Sequence, residues 1–338
     1  MIVEMRTGAS KKEVDDVVQK AKSLNLGVQL NVGTDKTVVA LLGGNTGQIP
    51  TDIFAIFPGV ESVTRIMKPY KLASRTFSPK DTIVDCGGVT IGGEKVVVMA
   101  GPCAVESEKQ LMQAAEAVKK AGATILRGGA FKPRTSPFSF QGLQKEGLEL
   151  LTKARDEFGM PIVTEVVNPQ DVLLVSSYAD MLQIGSRNMQ NFSLLTDAGK
   201  SRRPVVLKRG FSCTITEWLT AADYLLAEGN NQVILCERGI RTFEDSVRFS
   251  LDISAIPVLK KNSHLPVIVD PSHAAGNYSL VPAIAKAAVA AGADGLLIEV
   301  HPNPKEALVD GLQSLSPSDF ARLMDELRAV AKSVGRSI

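Results

Sequence analysis

The stretch VVVMAGPCAVESEKQLMQAAEAVKKAGATILRG, residues 96–128, decides the fold. It opens on a short valine-rich run, VVVMA (96–100), and breaks at a Gly-Pro step. An amphipathic stretch over 107–121 follows, and a second apolar run, TILRG (124–128), closes it. Continuous apolar runs, as opposed to alternating ones, suit parallel strands covered on both faces. The pattern therefore reads as strand, helix, strand. It recurs at PIVTE (161–165), MLQIG (181–185), PVVLK (204–208), QVILC (232–236), PVIVD (266–270) and GLLIE (295–299), which makes eight runs. Helical stretches at 142–158, 214–228, 279–291 and 317–333 follow most of the others. Eight βα units in about 250 residues predict a (β/α)8 TIM barrel over residues 83–338. The alternative is a doubly wound open sheet, but no Gly-rich dinucleotide fingerprint follows any run.

Working outward, a polar stretch with two prolines, KPYKLASRTFSPKDTI (67–82), reads as a linker. A short hairpin, IVDCGG then VTIGG, leads from it into the barrel. Before it, residues 1–66 read as a small domain. IVEMR is a strand, and Ser10 with Glu13 has capping-box spacing for a helix that runs to about Asn25. That helix carries Val14, Val17, Val18, Ala21 and Leu24 on one face. VQLNV and TVVALLG are strands about a Gly-Thr-Asp turn, Asp52–Phe57 is a short helix, and VESVTRIM is a last strand. The order βαββαβ is that of a ferredoxin-like domain.

Composition sets limits on function. The 38 Lys and Arg residues nearly balance 36 Asp and Glu, so no nucleic-acid or membrane surface is expected. The first residues lack a signal-peptide core, and the longest apolar stretch is interrupted by Lys286 and Asp294. Cys86, Cys103, Cys213 and Cys236 are widely spaced and do not read as a disulfide framework. A cytoplasmic protein is expected.

In a barrel the chemistry sits at the C-terminal ends of the strands. Cys103 follows the first run, His273 the seventh, and Glu299 ends the eighth, with Asp310 in the Pro-rich loop beyond. Closure makes strands seven, eight and one neighbours, so these four converge. A thiolate, an imidazole and two carboxylates suit Mn, Fe, Co or Zn better than calcium. His264 and His301 also lie near barrel ends and compete as ligands. Cations recur around the rest of the mouth: Arg127, Lys132, Arg134, Arg187, Lys208 and Arg238. The bland reading pairs them with barrel carboxylates such as Glu165 or Glu237. The sharper reading gives them two anionic groups, because arginine offers carboxylate and phosphate a planar fork. Between the prolines of loop 131–139, Thr135 and Ser136 add hydroxyls for phosphate oxygens.

The motifs GPCAVES, LRGGAFKPRTSPFSFQG, QIGSRNMQNF, LKRGF, LCERGIRTF, DPSHAAG and EVHPNPKEALVDGLQSL together resemble 3-deoxy-D-arabino-heptulosonate 7-phosphate (DAHP) synthases that carry an N-terminal ferredoxin-like regulatory domain. The resemblance spans nearly the whole chain. It implies condensation of phosphoenolpyruvate with erythrose 4-phosphate at the head of the shikimate pathway. It also implies Cys103, His273, Glu299 and Asp310 as metal ligands, and Arg127, Lys132, Arg187, Lys208 and Arg238 as phosphoenolpyruvate-binding residues. Arg134, Thr135 and Ser136 would take the sugar phosphate, and Lys132 would reach both substrates. Lys132, Cys103 and His273 are the catalytic candidates. The motifs do not assign the proton-transfer and water-activating groups, for which Lys132, Glu165 and His301 are candidates. The resemblance further implies feedback inhibition by an aromatic amino acid and a homotetramer. The related 3-deoxy-D-manno-octulosonate 8-phosphate synthase, which uses arabinose 5-phosphate, is the alternative; its KANRSS-type loop differs from KPRTS here. Outside the enzymes, the alternative is a catalytically silent metal-binding or amino-acid-sensing protein.

Overall fold

The computed structural model describes residues 1–33, 36–65, 69–134 and 136–338. Two compact units emerge: Met1–Lys80 with Asn262–His264, and Asp81–Lys261 with Leu265–Ile338.

The first unit has the expected order: β1 (Ile2–Met5), α1 (Lys11–Ser23), β2 (Gly27–Val32), β3 (Thr37–Leu42), α2 (Asp52–Ala55) and β4 (Val60–Thr64). The sheet order β2-β3-β1-β4, with every pair antiparallel, is ferredoxin-like. The predicted capping box at Ser10 and Glu13 forms. Val14, Val17 and Ala21 of α1 are buried with Val3, Met5 and Phe54, while Val18 and Leu24 pack at the margin. The α2 helix ends two residues earlier than predicted, before Pro58-Gly59. Thr34 and Asp35 of the predicted turn, and Ile66 and Met67 of the last predicted strand, lie outside the described residues. Tyr70, Leu72, Ala73 and Phe77, in the stretch read as linker, are buried and belong to this unit.

The second unit begins with the hairpin β5 (Val84–Cys86) and β6 (Val89–Ile91). The barrel follows as β7 (Val97–Gly101), α3 (Glu108–Ala121), β8 (Ile125–Arg127), α4 (Gln144–Phe158), β9 (Ile162–Glu165), α5 (Val172–Tyr178), β10 (Met181–Ile184), α6 (Phe192–Lys200), β11 (Val205–Lys208), α7 (Ile215–Ala227), β12 (Val233–Glu237), α8 (Ala255–Asn262), β13 (Val267–Val269), α9 (Pro271–Ala275), α10 (Val281–Ala290), β14 (Gly295–Glu299) and α11 (Pro317–Ser333). The strands close parallel, with β14 on β7 from Gly295 opposite Val97 to Glu299 opposite Gly101. Helices α5, α6 and α8 are additions to the sequence-based expectation.

Val84, Cys86 and Ile91 of the hairpin share one buried cluster with Val97, Ile125, Met181, Ile234, Ile268 and Leu297. Most of these begin their strands or lie near the start, so the hairpin seals the N-terminal end of the barrel. The opposite end is left for polar groups. All four cysteines are free, and no described helix is long and apolar enough to cross a membrane.

Candidate active site

The four residues expected to converge do meet, three from strand ends and Asp310 from a loop. One ligand atom each from Cys103, His273, Glu299 and Asp310 lies within 4.8 Å of the others. Cys103 Sγ is 3.4 Å from Asp310 Oδ2, and His273 Nε2 is 3.5 Å from Glu299 Oε1 and 3.7 Å from Asp310 Oδ2. Ligands about 2.0–2.3 Å from a shared ion stand apart by similar distances. Glu299 Oε1 is buried without a hydrogen-bond partner, although Arg127 Nη1 lies 3.1 Å away. An orphaned carboxylate oxygen facing a buried thiol and an imidazole nitrogen fits a divalent cation. Burial pushes the Cys103 thiol well above its usual range and lowers His273, which favours the neutral imidazole.

The orientation of His273 comes from Asp270, which the sequence reading did not single out. Asp270 caps α9, its Oδ1 accepting the His273 backbone N–H at 2.9 Å. Its Oδ2 accepts from His273 Nδ1 at 2.7 Å, which turns the Nε2 lone pair toward the other ligands. The same oxygen is 2.5 Å from Lys208 Nζ. Burial alone would raise the Asp270 carboxyl, yet the His273 and Lys208 side chains hold it well below the usual carboxylate range. Glu299 Oε2 is held in turn by Gln313 Nε2 at 2.6 Å, and Gln313 Oε1 by Arg248 Nη1 at 2.6 Å. Arg248 also reaches Asp310 Oδ1 at 3.2 Å. Asp270, Arg248 and Gln313 thus join the site from three separate segments.

Beside this cluster lies a cavity of about 290 Å³. Arg127, Lys132, Arg134, Ser136, Arg187, Lys208 and Arg238 all line it, together with Glu165, His273 and Asp310. Thr135 lies outside the described residues. The bland reading, ion pairing with barrel carboxylates, holds for two of the cations, although the partners are not Glu165 or Glu237. Arg127 pairs with Glu299, and Lys208 with Asp270. Lys132 Nζ donates to Cys103 O at 3.0 Å and reaches Sγ at 3.2 Å. Three of the cavity cations are therefore tied directly to the Cys103, His273, Glu299 and Asp310 cluster or to Asp270 beside it. Glu165 instead accepts from Gln183 Nε2 at 3.2 Å. It packs so closely on Gly185 that a Cβ there would stand 2.1 Å from Glu165 Oε1.

Glu237 is fully buried and pairs with Arg209 Nη1 at 3.0 Å, which also bridges to Asp252 at 3.0 Å. Arg209 follows Lys208 and Glu237 precedes Arg238, so this pair fixes the backbones of two cavity cations. Arg238 itself is buried; among the described residues it has no carboxylate within 4.0 Å, and its hydrogen bonds there are 3.5 Å contacts to carbonyls of Gly239 and His273. Burial lowers it to about 10, so it stays charged at neutral pH.

Two expected competitors stand elsewhere. His264 Nε2 is 2.8 Å from Leu72 O in the first unit and takes no part in the cluster. His301 Nδ1 accepts from Asn303 N at 3.0 Å, which leaves Nε2 facing Glu106 at 3.3 Å.

Comparison with known proteins follows the same division. The DAHP synthetase I family profile matches residues 78–334, and the DAHP synthase ferredoxin-like domain profile matches residues 1–68. The chain is 48% identical over 335 residues to the phospho-2-dehydro-3-deoxyheptonate aldolase of Thermotoga maritima, covering 99% of both. It is 29% identical over 266 residues to a 2-dehydro-3-deoxyphosphooctonate aldolase of Geobacter sulfurreducens, covering 73% of this chain and 97% of that one. The crystal structure of the Thermotoga maritima DAHP synthase superposes with a TM-score of 0.79 at 47% identity, over 99% of this chain and 98% of that one. A truncated form of that organism's enzyme gives 0.75 at 46% identity, over 80% of this chain and 99% of that one.

Proposed function

We propose that this chain, which belongs to the DAHP synthetase I family, carries out the family's reaction in the cavity just described, with Cys103, His273, Glu299 and Asp310 holding a divalent metal. The reaction joins phosphoenolpyruvate, D-erythrose 4-phosphate and water to give 3-deoxy-D-arabino-heptulosonate 7-phosphate and phosphate, the first step of the shikimate pathway. The observation that carries the site assignment is that two members of the four-residue cluster, His273 and Asp310, line the same cavity as the cations.

A bound divalent ion would act as a Lewis acid, making the aldehyde carbon a better electrophile. Arg127, Lys132, Arg187, Lys208 and Arg238 hold the carboxylate and phosphate of phosphoenolpyruvate. Arg134, Thr135 and Ser136 hold the sugar phosphate. Fixing both anions brings C3 of the enol to the aldehyde carbon and removes much of the entropic barrier. The C2–C3 π pair forms the new C–C bond, and the aldehyde oxygen takes up a proton. Water adds at C2 and loses one proton; the C2–O bond to phosphate then breaks as the remaining hydroxyl proton passes to the departing phosphate, which leaves the ketone. Lys132 touches the Cys103 thiol and lines the cavity, so among the cations it is best placed to serve both halves of the site.

In the first unit, a cavity of about 280 Å³ lined by Glu4, Asn31, Lys36, Val38 and residues 78–80 is of amino-acid size and offers both charge signs. It is our candidate site for an aromatic amino-acid inhibitor. A homotetramer is our proposal for the assembly, to be checked by light scattering.

The test is a coupled assay of phosphate release from phosphoenolpyruvate, with and without chelator and each aromatic amino acid. Release should need erythrose 4-phosphate and stop with chelator. Preference for arabinose 5-phosphate would replace the heptulosonate reading with the octulosonate one. Chelator-resistant turnover would remove the metal role.

A further inference from the structure

Three cavity cations pair with a carboxylate, Arg127 with Glu299, Lys208 with Asp270 and Arg248 with Asp310, while Lys132 lies against the Cys103 thiol. Arg238 is different. Its guanidinium carbon lies 3.9 Å from the centre of the Phe249 ring and 5.0 Å from that of Phe211. The two rings stack on each other at 5.0 Å and 11°. Arg187 and Arg241 lie over the Phe211 ring at 5.5 and 5.7 Å. A two-ring stack thus serves three arginines, two of which line the substrate cavity.

An aromatic face stabilises a guanidinium through the ring quadrupole and uses none of its N–H donors. A carboxylate partner would occupy those donors and cancel the charge. The rings are half-buried and themselves line the cavity, so they are not simply core filling. The backbone is shaped to bring them in. Phe249 N–H donates to Ala274 O at 2.9 Å, on the helix that carries His273. Gly239, at φ 88°, lies where a Cβ would stand 2.7 Å from Phe249 Cβ. Only glycine adopts that backbone and still leaves room for the ring.

We propose that Phe211 and Phe249 are positioning residues for the anion site: their stacked faces hold Arg238 and Arg187 charged, oriented and with free donors, and so set the affinity for the phosphoryl group of phosphoenolpyruvate. This rests on the reading that those two arginines bind phosphoenolpyruvate.

The test uses full-length, metal-loaded protein and two measurements: KM for each substrate, and inhibition by inorganic phosphate. Phe249→Leu keeps an apolar side chain and removes the ring face. It should raise the phosphoenolpyruvate KM and the phosphate inhibition constant together by about 5- to 30-fold. The erythrose 4-phosphate KM should change less than about threefold, and kcat should fall less than KM rises. Phe249→Tyr, which restores a ring, should stay within about threefold of the parent. Arg238→Gln separates the two readings. If it leaves the phosphoenolpyruvate KM unchanged, the assignment of Arg238 to that substrate is wrong. If it raises that KM while Phe249→Leu does not, the aromatic proposal alone fails. Equal losses in the Leu and Tyr variants would also overturn it, since the ring face would then not be the cause. Should Phe249→Leu not fold, judged by circular dichroism, Phe211→Leu is read by the same criteria.

Discussion

Asp270→Asn should destabilise the metal-free protein and make it more responsive to phosphate. The wild-type carboxylate is fully buried, with one oxygen shared by His273 Nδ1 and Lys208 Nζ and the other capping a helix. Asparagine keeps the shape and the cap, since it is as good an N-cap as aspartate. What is lost is the charge opposite a buried ammonium. Breaking a buried pair from one side costs about 3–5 kcal/mol. At about 2–4 °C per kcal/mol for a large domain, the melting temperature should fall by roughly 6–20 °C. The Asp270 carboxyl is held below its unfolded value, so its contribution is present above pH ~4 and lost as pH falls through the folded value. The gap between variant and parent should therefore be constant near neutrality and close in acid. The freed Lys208 should also bind phosphate more tightly, so added phosphate should raise the variant's melting temperature by more than the parent's. Metal affinity should drop by about 10- to 100-fold, because the imidazole loses its orienting acceptor. Calorimetry across a phosphate series settles the matter. A loss below about 1 kcal/mol, or an equal phosphate response in both proteins, would refute the reasoning.

Other perturbations test other contacts. Burial keeps the Cys103 thiol protonated at neutral pH, so binding a metal must release a proton and affinity should rise about tenfold per pH unit. A competition titration should show that slope flattened in Cys103→Ser; a parallel slope would argue against ligation. Arg209→Met strands the buried Glu237 and should cost about 3–5 kcal/mol in urea unfolding. Because Arg209 lies 5.9 Å from the Trp218 ring, emission from this sole tryptophan should shift too, and an unchanged midpoint would count against the pair. Gly185→Ala places a methyl against Glu165, and displacing that carboxylate by about 1 Å should lower turnover on the order of a hundredfold, read by steady-state kinetics. Turnover close to the parent's would show that Glu165 can move without consequence.

The barrel was legible because its strands are buried on both faces and so appear as unbroken apolar runs. Helices α5 and α6 were not. The α5 segment, VLLVSSY, is seven residues mixing β-branched and serine side chains, too short to show a helical period. The four clustered ligands were legible because three sit at or just beyond strand ends, where the fold itself supplies convergence. Asp310 is a loop residue with φ 54°, a left-handed conformation that aspartate tolerates better than most. Asp270 appeared only as the last residue of the PVIVD run; its bond to Lys208, 62 positions earlier, has no local signature. The same holds for Arg209 and Gln313, whose partners come from distant segments of the chain. Phe211 and Phe249 read as ordinary apolar residues, since nothing local marks a ring that faces a cation. The cations themselves were found, and pairing with barrel carboxylates was the bland reading; the actual partners, Glu299 and Asp270, stand two strands away from Arg127 and Lys208, which no local pattern reveals.

Closure of β14 on β7 also dictates when a new molecule can become competent. Cys103 and Asp310 are 207 positions apart and meet only after the last strand has docked on the first. A nascent chain still on the ribosome presents its thiol long before the imidazole and carboxylates have been made. On the metal role proposed above, capture of the ion would be a finishing step of synthesis, and a chain cut short before Glu299 would keep most of its strands but lack two of the four clustered residues.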